Sequence, residues 1–366
     1  MEKKAQPDRR LGTVAGGPNR PLLEFHLAEY EAFTTRNTYL ASFRVAREHV
    51  PSSRNECQGG KLASDRGDSM NIFDRRTFVQ MAAGAVAGLS ARAAEPLKPM
   101  RLGVVTGGAD SDAAIRRVRD LGFSNCQVYL GSPDAAAAAR LRAALDKYQI
   151  EATSLIITGP GPEVYDFLQG PATIGLVPAK YRPERIARMK QGSDFAKLVG
   201  IPGIQGHCGF FPENPGDPLF AETVAALRTV VAYCRDNGQT FRCETGQETP
   251  VTLLRAIKAV GLDNLGVNFD CANLILYGKA NPVDALDLLG PYVLGVHAKD
   301  GLYPTDPNRL GEEVPIGKGR VDFPRFIRRL KDAGYRGPIT IEREISGPAQ
   351  ADDIRASKAY LERLIG

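Results

Sequence analysis

Pro291-Tyr-Val-Leu-Gly-Val-His297-Ala-Lys299-Asp300-Gly301 is the stretch that decides the fold. Val293 to Val296 reads as a short apolar strand that ends in His297, with Lys299 and Asp300 just beyond it. Past residue 50 the chain has two histidines, His207 and His297, and each closes an apolar run of strand type. An imidazole at the C-terminal end of a buried strand is where an α/β barrel carries a metal ligand or an acid/base group. Taken alone, such a histidine is more often a satisfied core residue. The rest of the chain has to decide between the two.

Working outward, a regular alternation begins at Met100. Apolar, β-branched runs of about four to seven residues alternate with amphipathic segments of about 10 to 20. The strands are expected at Leu102–Val105, Cys126–Leu130, Thr153–Ile157, Gly203–His207, Thr240–Glu244, Leu265–Asp270, Val293–His297 and Pro338–Glu342. Helices are expected between them, and a closing helix near Ala351 to Leu364. Gly122, Gly200, Gly238, Gly261 and Gly334 each follow an apolar helical face, as helix stops do. Eight such units fit a (β/α)8 TIM barrel, an α/β fold forming a single domain over residues 100–366. A doubly wound open sheet would carry a Gly-rich phosphate loop after its first strand. Val105-Thr-Gly-Gly108 lacks the G-x-G-x-x-G spacing. The longest loops, 159–180 and 301–320, are expected over the C-terminal face, as walls or a lid for a site.

Four consecutive strand ends carry a metal-ligand type: Glu244, Asp270, His297 and Glu342. Their separations are 26, 27 and 45 residues, single βα periods except where the long loop after strand 7 intervenes. In a closed barrel these ends are neighbours on the rim. Three carboxylates brought together repel and raise one another's pKa. A divalent cation removes that conflict, so one metal ion is expected on Glu244, Asp270, His297 and Glu342. One nitrogen among three oxygens suits Mn²⁺, Mg²⁺, Co²⁺ or Zn²⁺, and the residues do not choose among them.

The same residues stand in motifs: Glu244-Thr-Gly, Asn268-Phe-Asp270-x-x-Asn273, His297-Ala-Lys-Asp300, Gly317-Lys-Gly319-Arg-Val-Asp322-Phe323 and Gly334-Tyr-Arg-Gly-Pro-Ile-Thr-Ile-Glu342. Together they resemble the xylose isomerase-like sugar isomerase/epimerase superfamily, which also includes tagatose/psicose 3-epimerases and endonuclease IV. The resemblance spans about residues 100–366. It implies a metal-dependent sugar isomerase or epimerase in which Glu244 and Glu342 are also the catalytic pair. They would move protons on opposite faces of the substrate, through a metal-stabilised enediolate. Loss of a β-hydroxyl from that enediolate gives a second reading, a lyase or dehydratase on a keto-sugar, keto-glycoside or inosose. A third is a sugar-binding barrel without catalysis, against which the intact Glu244/Glu342 pair speaks. Epimerases of this group often carry His three residues after the strand-6 aspartate; this chain has Asn273, which hydrogen-bonds hydroxyls but does not titrate near neutrality. Asn273, His207 and Lys299 are the expected substrate contacts. Lys299 could equally pair with a neighbouring carboxylate, and Glu344 is a rival ligand to Glu342. A trinuclear endonuclease site needs more histidines than the domain holds. The superfamily contains monomers, dimers and tetramers, so a homo-oligomer stays open.

Met70-Asn-Ile-Phe-Asp-Arg75-Arg76-Thr-Phe78-Val79 resembles a twin-arginine export motif. A weakly apolar run, Met81 to Leu89, and the small residues Ala91 and Ala93 of a signal-peptidase site follow it. Residues 70–93 are therefore expected to be a signal peptide, and the protein periplasmic or otherwise exported. The run is too short for a membrane span. Residues 1–69 are expected to be a disordered extension or a start codon read too early; N-terminal sequencing of the native protein decides. Residues 1–94 carry 14 Lys+Arg and 10 Asp+Glu, which leaves 33 and 32 for the rest. A near-neutral globular part lacks the basic excess of a nucleic-acid-binding surface. A small carbohydrate is the expected partner. No cysteine pair has C-x-x-C spacing, so the six cysteines read as buried thiols.

Overall fold

The computed structural model describes residues 100–366 apart from 108–109 and 131–132. The expected extension and signal peptide lie outside the described residues. Eight parallel strands close into a barrel: β1 (Leu102–Gly107), β2 (Asn125–Tyr129), β3 (Glu151–Ile156), β4 (Gly203–His207), β5 (Thr240–Glu244), β6 (Leu265–Asp270), β7 (Val293–Ala298) and β10 (Ile339–Ile341). Each pairs with its neighbour in the chain, and β10 closes on β1. Two further two-residue strands, β8 (Asp300–Gly301) and β9 (Glu313–Val314), form an antiparallel pair in the loop after β7.

The outer helices are α1 (Ser111–Asp120), α2 (Ala135–Tyr148), α4 (Arg182–Val199), α5 (Pro218–Asp236), α6 (Pro250–Val260), α8 (Pro282–Leu289), α9 (Phe323–Asp332) and α10 (Pro348–Ile365). Asp110, Asp134, Asp217, Thr249, Asn281 and Asp322 cap six of them with a side-chain oxygen on a first-turn N–H. Their apolar stripes, with Ile115, Leu141, Phe195, Leu227, Ala256 and Phe326, are buried against the strands. Two short helices carry no sequence period: α3 (Gly170–Thr173), and α7 (Cys271–Leu276), which starts directly after β6 and is buried throughout.

The interior of this barrel is polar. Barrel interiors are usually filled with branched apolar side chains. Here Gln127 of β2 donates to Asn268 of β6 at 3.3 Å, and Gln205 of β4 reaches His297 of β7 at 3.3 Å, all four buried. These contacts cross the barrel and form the bed on which the rim residues stand. The five cysteines among the described residues are buried free thiols. No helix among the described residues is long and apolar enough to cross a membrane.

Two buried ions fix the long loops. Arg185 of α4 is fully buried and donates to the carbonyls of Gly175 (2.6 Å), Pro162 (2.8 Å) and Pro160 (3.2 Å). Its guanidinium lies 4.9 Å from the Tyr181 ring centroid. The loop between β3 and α4 is thus tied to the helix that follows it. The guanidinium reaches them from three separate nitrogens, Nε, Nη1 and Nη2, a spread that the single nitrogen of a lysine does not match. Arg185→Met is expected to cost about 2–4 kcal/mol and to open the 159–180 loop to proteolysis. Urea unfolding and limited proteolysis check both parts. The second ion, Asp300, holds the loop after β7.

Candidate metal centre

Register brings the four expected ligands together. Asp270 is the Cα partner of His297 across β6 and β7, and His297 faces Thr340, two residues before Glu342, across β7 and β10. Glu244 ends β5 beside His207 of β4. One ligand atom from each of Glu244, Asp270, His297 and Glu342 lies within 4.8 Å of all the others. His297 Nδ1 is 3.0 Å from Glu244 Oε1, 3.2 Å from Glu342 Oε2 and 3.7 Å from Asp270 Oδ2. Nδ1 lies within ion-pair distance of all three but points at none with hydrogen-bond geometry. Both Nδ1 and Asp270 Oδ2 are buried without a hydrogen-bond partner.

The Glu-Thr-Gly motif explains how Asp270 is held. Thr245 Oγ1 accepts from the Asp270 N–H and donates to its carbonyl, both at 2.9 Å. Asp270 Oδ1 caps α7 by accepting from Asn273 N at 2.8 Å, which leaves Oδ2 for the cluster. Gly246, at φ +155°, lets Asn273 pack close: a Cβ there would meet the Asn273 Cβ at 2.9 Å.

Lys299 is buried. Its ammonium sits 3.0 Å from Glu344 Oε2, 3.3 Å from Glu342 Oε2, 3.3 Å from Asn273 Oδ1 and 3.8 Å from Asp270 Oδ2. It is not among the residues lining the cavity described below, and the contacts it makes are with three carboxylates and Asn273. Glu344 is its solvated partner rather than a member of the cluster.

The charges of the cluster are coupled. Burial raises the Asp270 pKa to about 6, against the pull of Lys299 and His297. Burial also opposes ionisation of Glu342 and Glu244, but His297 overcomes it in both, helped by Lys299 for Glu342 and by His207 for Glu244. Their pKa values are lowered, that of Glu342 well below the ordinary range. For His297, burial disfavours the cation, yet Glu342 and Glu244 raise its pKa well above the usual value. Without a metal, two cations thus face three carboxylates, and burial makes Asp270 the hardest of the three to ionise. A divalent ion in place of the His297 proton, with Lys299 charged, would balance the three carboxylates. The residues present therefore fit a divalent metal.

A cavity of about 520 Å³ opens over this cluster. His207, Glu244, Asn273 and Glu342 line it, and Tyr165 and Tyr277 stand among its walls. His207 Nδ1 is 3.1 Å from Gln247 Oε1, and Tyr165 meets its ring edge-on at 5.3 Å. No lysine or arginine lines the cavity among the described residues.

Three functional candidates escape a reading of strand ends. Gln127 and Gln247 contact the two imidazoles, and neither belongs to a motif. Glu248, after the same Glu-Thr-Gly run, is buried with both carboxylate oxygens unpartnered. Burial pushes its pKa up to about 8. Between an ordinary carboxyl pKa of about 4.3 and that value, the folded protein holds a proton that the unfolded chain has lost. Stability then falls by about 1.4 kcal/mol per pH unit as pH rises. Glu248→Gln, neutral at every pH, should flatten that slope, so the melting temperature of the variant gains on the wild type from pH 5 to pH 8. Parallel slopes in thermal melts would contradict the burial of an ionisable Glu248.

Comparison with known proteins agrees with this architecture. A crystal structure of a xylose isomerase domain protein from Planctomyces limnophilus is 36% identical, with a TM-score of 0.68, over 73% of this chain and 97% of that one. A D-tagatose 3-epimerase-like protein superposes with a TM-score of 0.56 at 20% identity, over 73% of this chain and 97% of that one, a likeness of fold. Protein MJ1311 of Methanocaldococcus jannaschii is 30% identical over 169 residues, 43% of this chain and 55% of that protein. The chain spans about half the length of the curated relatives it matches. The family model described as xylose isomerase-like TIM barrel matches residues 115–364, and the chain belongs to that family.

Proposed function

We propose that this protein is a metal-dependent isomerase or epimerase of an unphosphorylated sugar or keto-sugar. The observation that carries the reading is the pair Glu244 and Glu342. Both line one cavity and both flank His297 Nδ1, at 3.0 and 3.2 Å. Glu244, Asp270, His297 and Glu342 would hold the metal, which supplies a Lewis acid for the substrate carbonyl and its adjacent hydroxyl.

Glu244 takes the proton from the hydroxyl-bearing carbon beside the carbonyl, and a carboxyl returns one. Return by Glu342 to the opposite face inverts the carbon; return to the neighbouring carbon moves the carbonyl. Asn273 and His207, which line the cavity, would hold substrate hydroxyls. A cavity without lysine or arginine supports an uncharged sugar over a phosphate ester. The twin-arginine segment supports the same choice, because phosphorylated sugars are scarce outside the cytoplasm, where we place the protein.

His207 favours a second reading, dehydration of a keto-sugar, keto-glycoside or inosose. Its Nδ1 is taken up by Gln247, which leaves Nε2 for a leaving hydroxyl. The test is incubation of metal-loaded protein with ketoses, keto-glycosides and their phosphate esters in D₂O. Deuterium at carbon in an unphosphorylated sugar is expected. An unsaturated, dehydrated product marks the second reading. Exchange with phosphate esters alone removes the substrate class, and no exchange in any sugar removes the enzyme.

A further inference from the structure

His297 can act as a metal ligand through Nδ1 only if its other nitrogen carries the hydrogen. A contact on the far side of the ring decides this. Nε2 is 2.7 Å from Gln127 Oε1, a distance that requires a proton between them. A carboxamide oxygen offers none, so the proton belongs to Nε2. The Gln127 carboxamide is oriented in turn, because its Nε2 donates to Asn268 Oδ1 at 3.3 Å. Gln205 meets the same ring nitrogen at 3.3 Å, and its Oε1 is buried without a partner. A half-turn of that carboxamide gives the Nε2–H a second acceptor. Both sides of the ring then agree: Nε2–H faces the glutamines, and Nδ1, whose proton a metal ion would replace, faces Glu244, Asp270 and Glu342.

We propose that Gln127 is the positioning residue of the metal centre, holding His297 with Nε2 protonated so that Nδ1 serves the metal. The proposal rests on the metal-centre reading above. Gln127 is outside the four-residue cluster and does not line the cavity. It lies 170 positions from His297 in the chain and reaches it across the barrel interior. A buried partner of this kind fixes both the tautomer and the ring orientation of a ligating histidine, and its loss typically costs about 10–100-fold in metal affinity.

The test compares Mn²⁺ affinity by calorimetry in the full chain for the wild type, Gln127→Met and Gln127→Glu. Methionine keeps the volume and removes the acceptor. Glutamate keeps an acceptor on the ring, and Asn268, whose Nδ2 has no partner, can turn to donate to its other oxygen. Gln127→Met is expected to bind Mn²⁺ about 10–100-fold more weakly, and Gln127→Glu to recover most of that loss. Equal affinity in wild type and Gln127→Met overturns the proposal, as does equal weakness in the two variants. If wild type itself binds no metal, the metal-centre reading fails instead. A measurement without mutation guards against misfolded variants: histidine ¹⁵N NMR of the Zn²⁺-loaded wild type. Coordination through His297 Nδ1 with Nε2–H present is expected, and coordination through Nε2 sinks the idea.

Discussion

Glu244→Gln is expected to lower solvent deuterium exchange into the substrate by about 10³-fold, within the range that a positioned acid/base group contributes. The amide oxygen still offers the metal a donor, so the loss should exceed any loss of metal content. Metal analysis of the purified variant separates the two effects. Glu342→Gln should behave differently. With Glu244 intact, the carbon proton still leaves and returns on one face, so deuterium washes into the starting sugar without inversion. That asymmetry is what two glutamates on opposite faces predict. It is not expected of a single base, or of a binding barrel in which neither residue moves a proton. A metal-replete Glu244→Gln enzyme with wild-type exchange would exclude Glu244 as the abstracting group.

The barrel was legible because each βα unit carries its own signal: an apolar run, an amphipathic helix, and a cap or glycine stop. The four candidate ligands were legible for a related reason. A residue type repeated at strand ends one βα period apart becomes a ring once the sheet closes. The sequence could not disclose partners across the barrel. Gln127 and His297 meet because β2 and β7 face one another, and nothing local to either residue marks that contact. The helix Cys271–Leu276 was missed because it is buried all round, so no polar face reveals a helical period. The β8–β9 pair is too short to show alternation. Buried anchors such as Arg185 look like surface charges in a sequence, since charge alone does not report burial.

The largest expected loss of stability lies at Asp300, the residue that closes the His-Ala-Lys-Asp run. Its carboxylate is buried and accepts four backbone N–H bonds: Gly301 (2.9 Å) and Val321 (3.1 Å) on Oδ1, Gly317 (2.9 Å) and Gly319 (2.9 Å) on Oδ2. Gly319 must be glycine there, because a Cβ would fall within the carboxylate itself. The loop from β7 to α9 is therefore wrapped around one side chain. That loop carries Leu310 into the cavity wall and Glu313 to Arg343, at 3.0 Å, just after Glu342. Removing the carboxylate strands two buried and two part-buried N–H groups at once, the buried ones at about 1–3 kcal/mol each. Partial relaxation and new water contacts recover some of this, so Asp300→Ala is expected to lose about 3–5 kcal/mol in urea unfolding. Asp300→Asn should fall between, since its amide keeps one oxygen but turns an N–H₂ toward donors. A loosened loop should also raise KM for the sugar with a smaller change in kcat, because the proposed proton-transfer pair, Glu244 and Glu342, lies on β5 and just past β10. An Asp300→Ala protein within about 0.5 kcal/mol of wild type would mean that the loop holds itself by other contacts. The motif's aspartate would then need a different explanation.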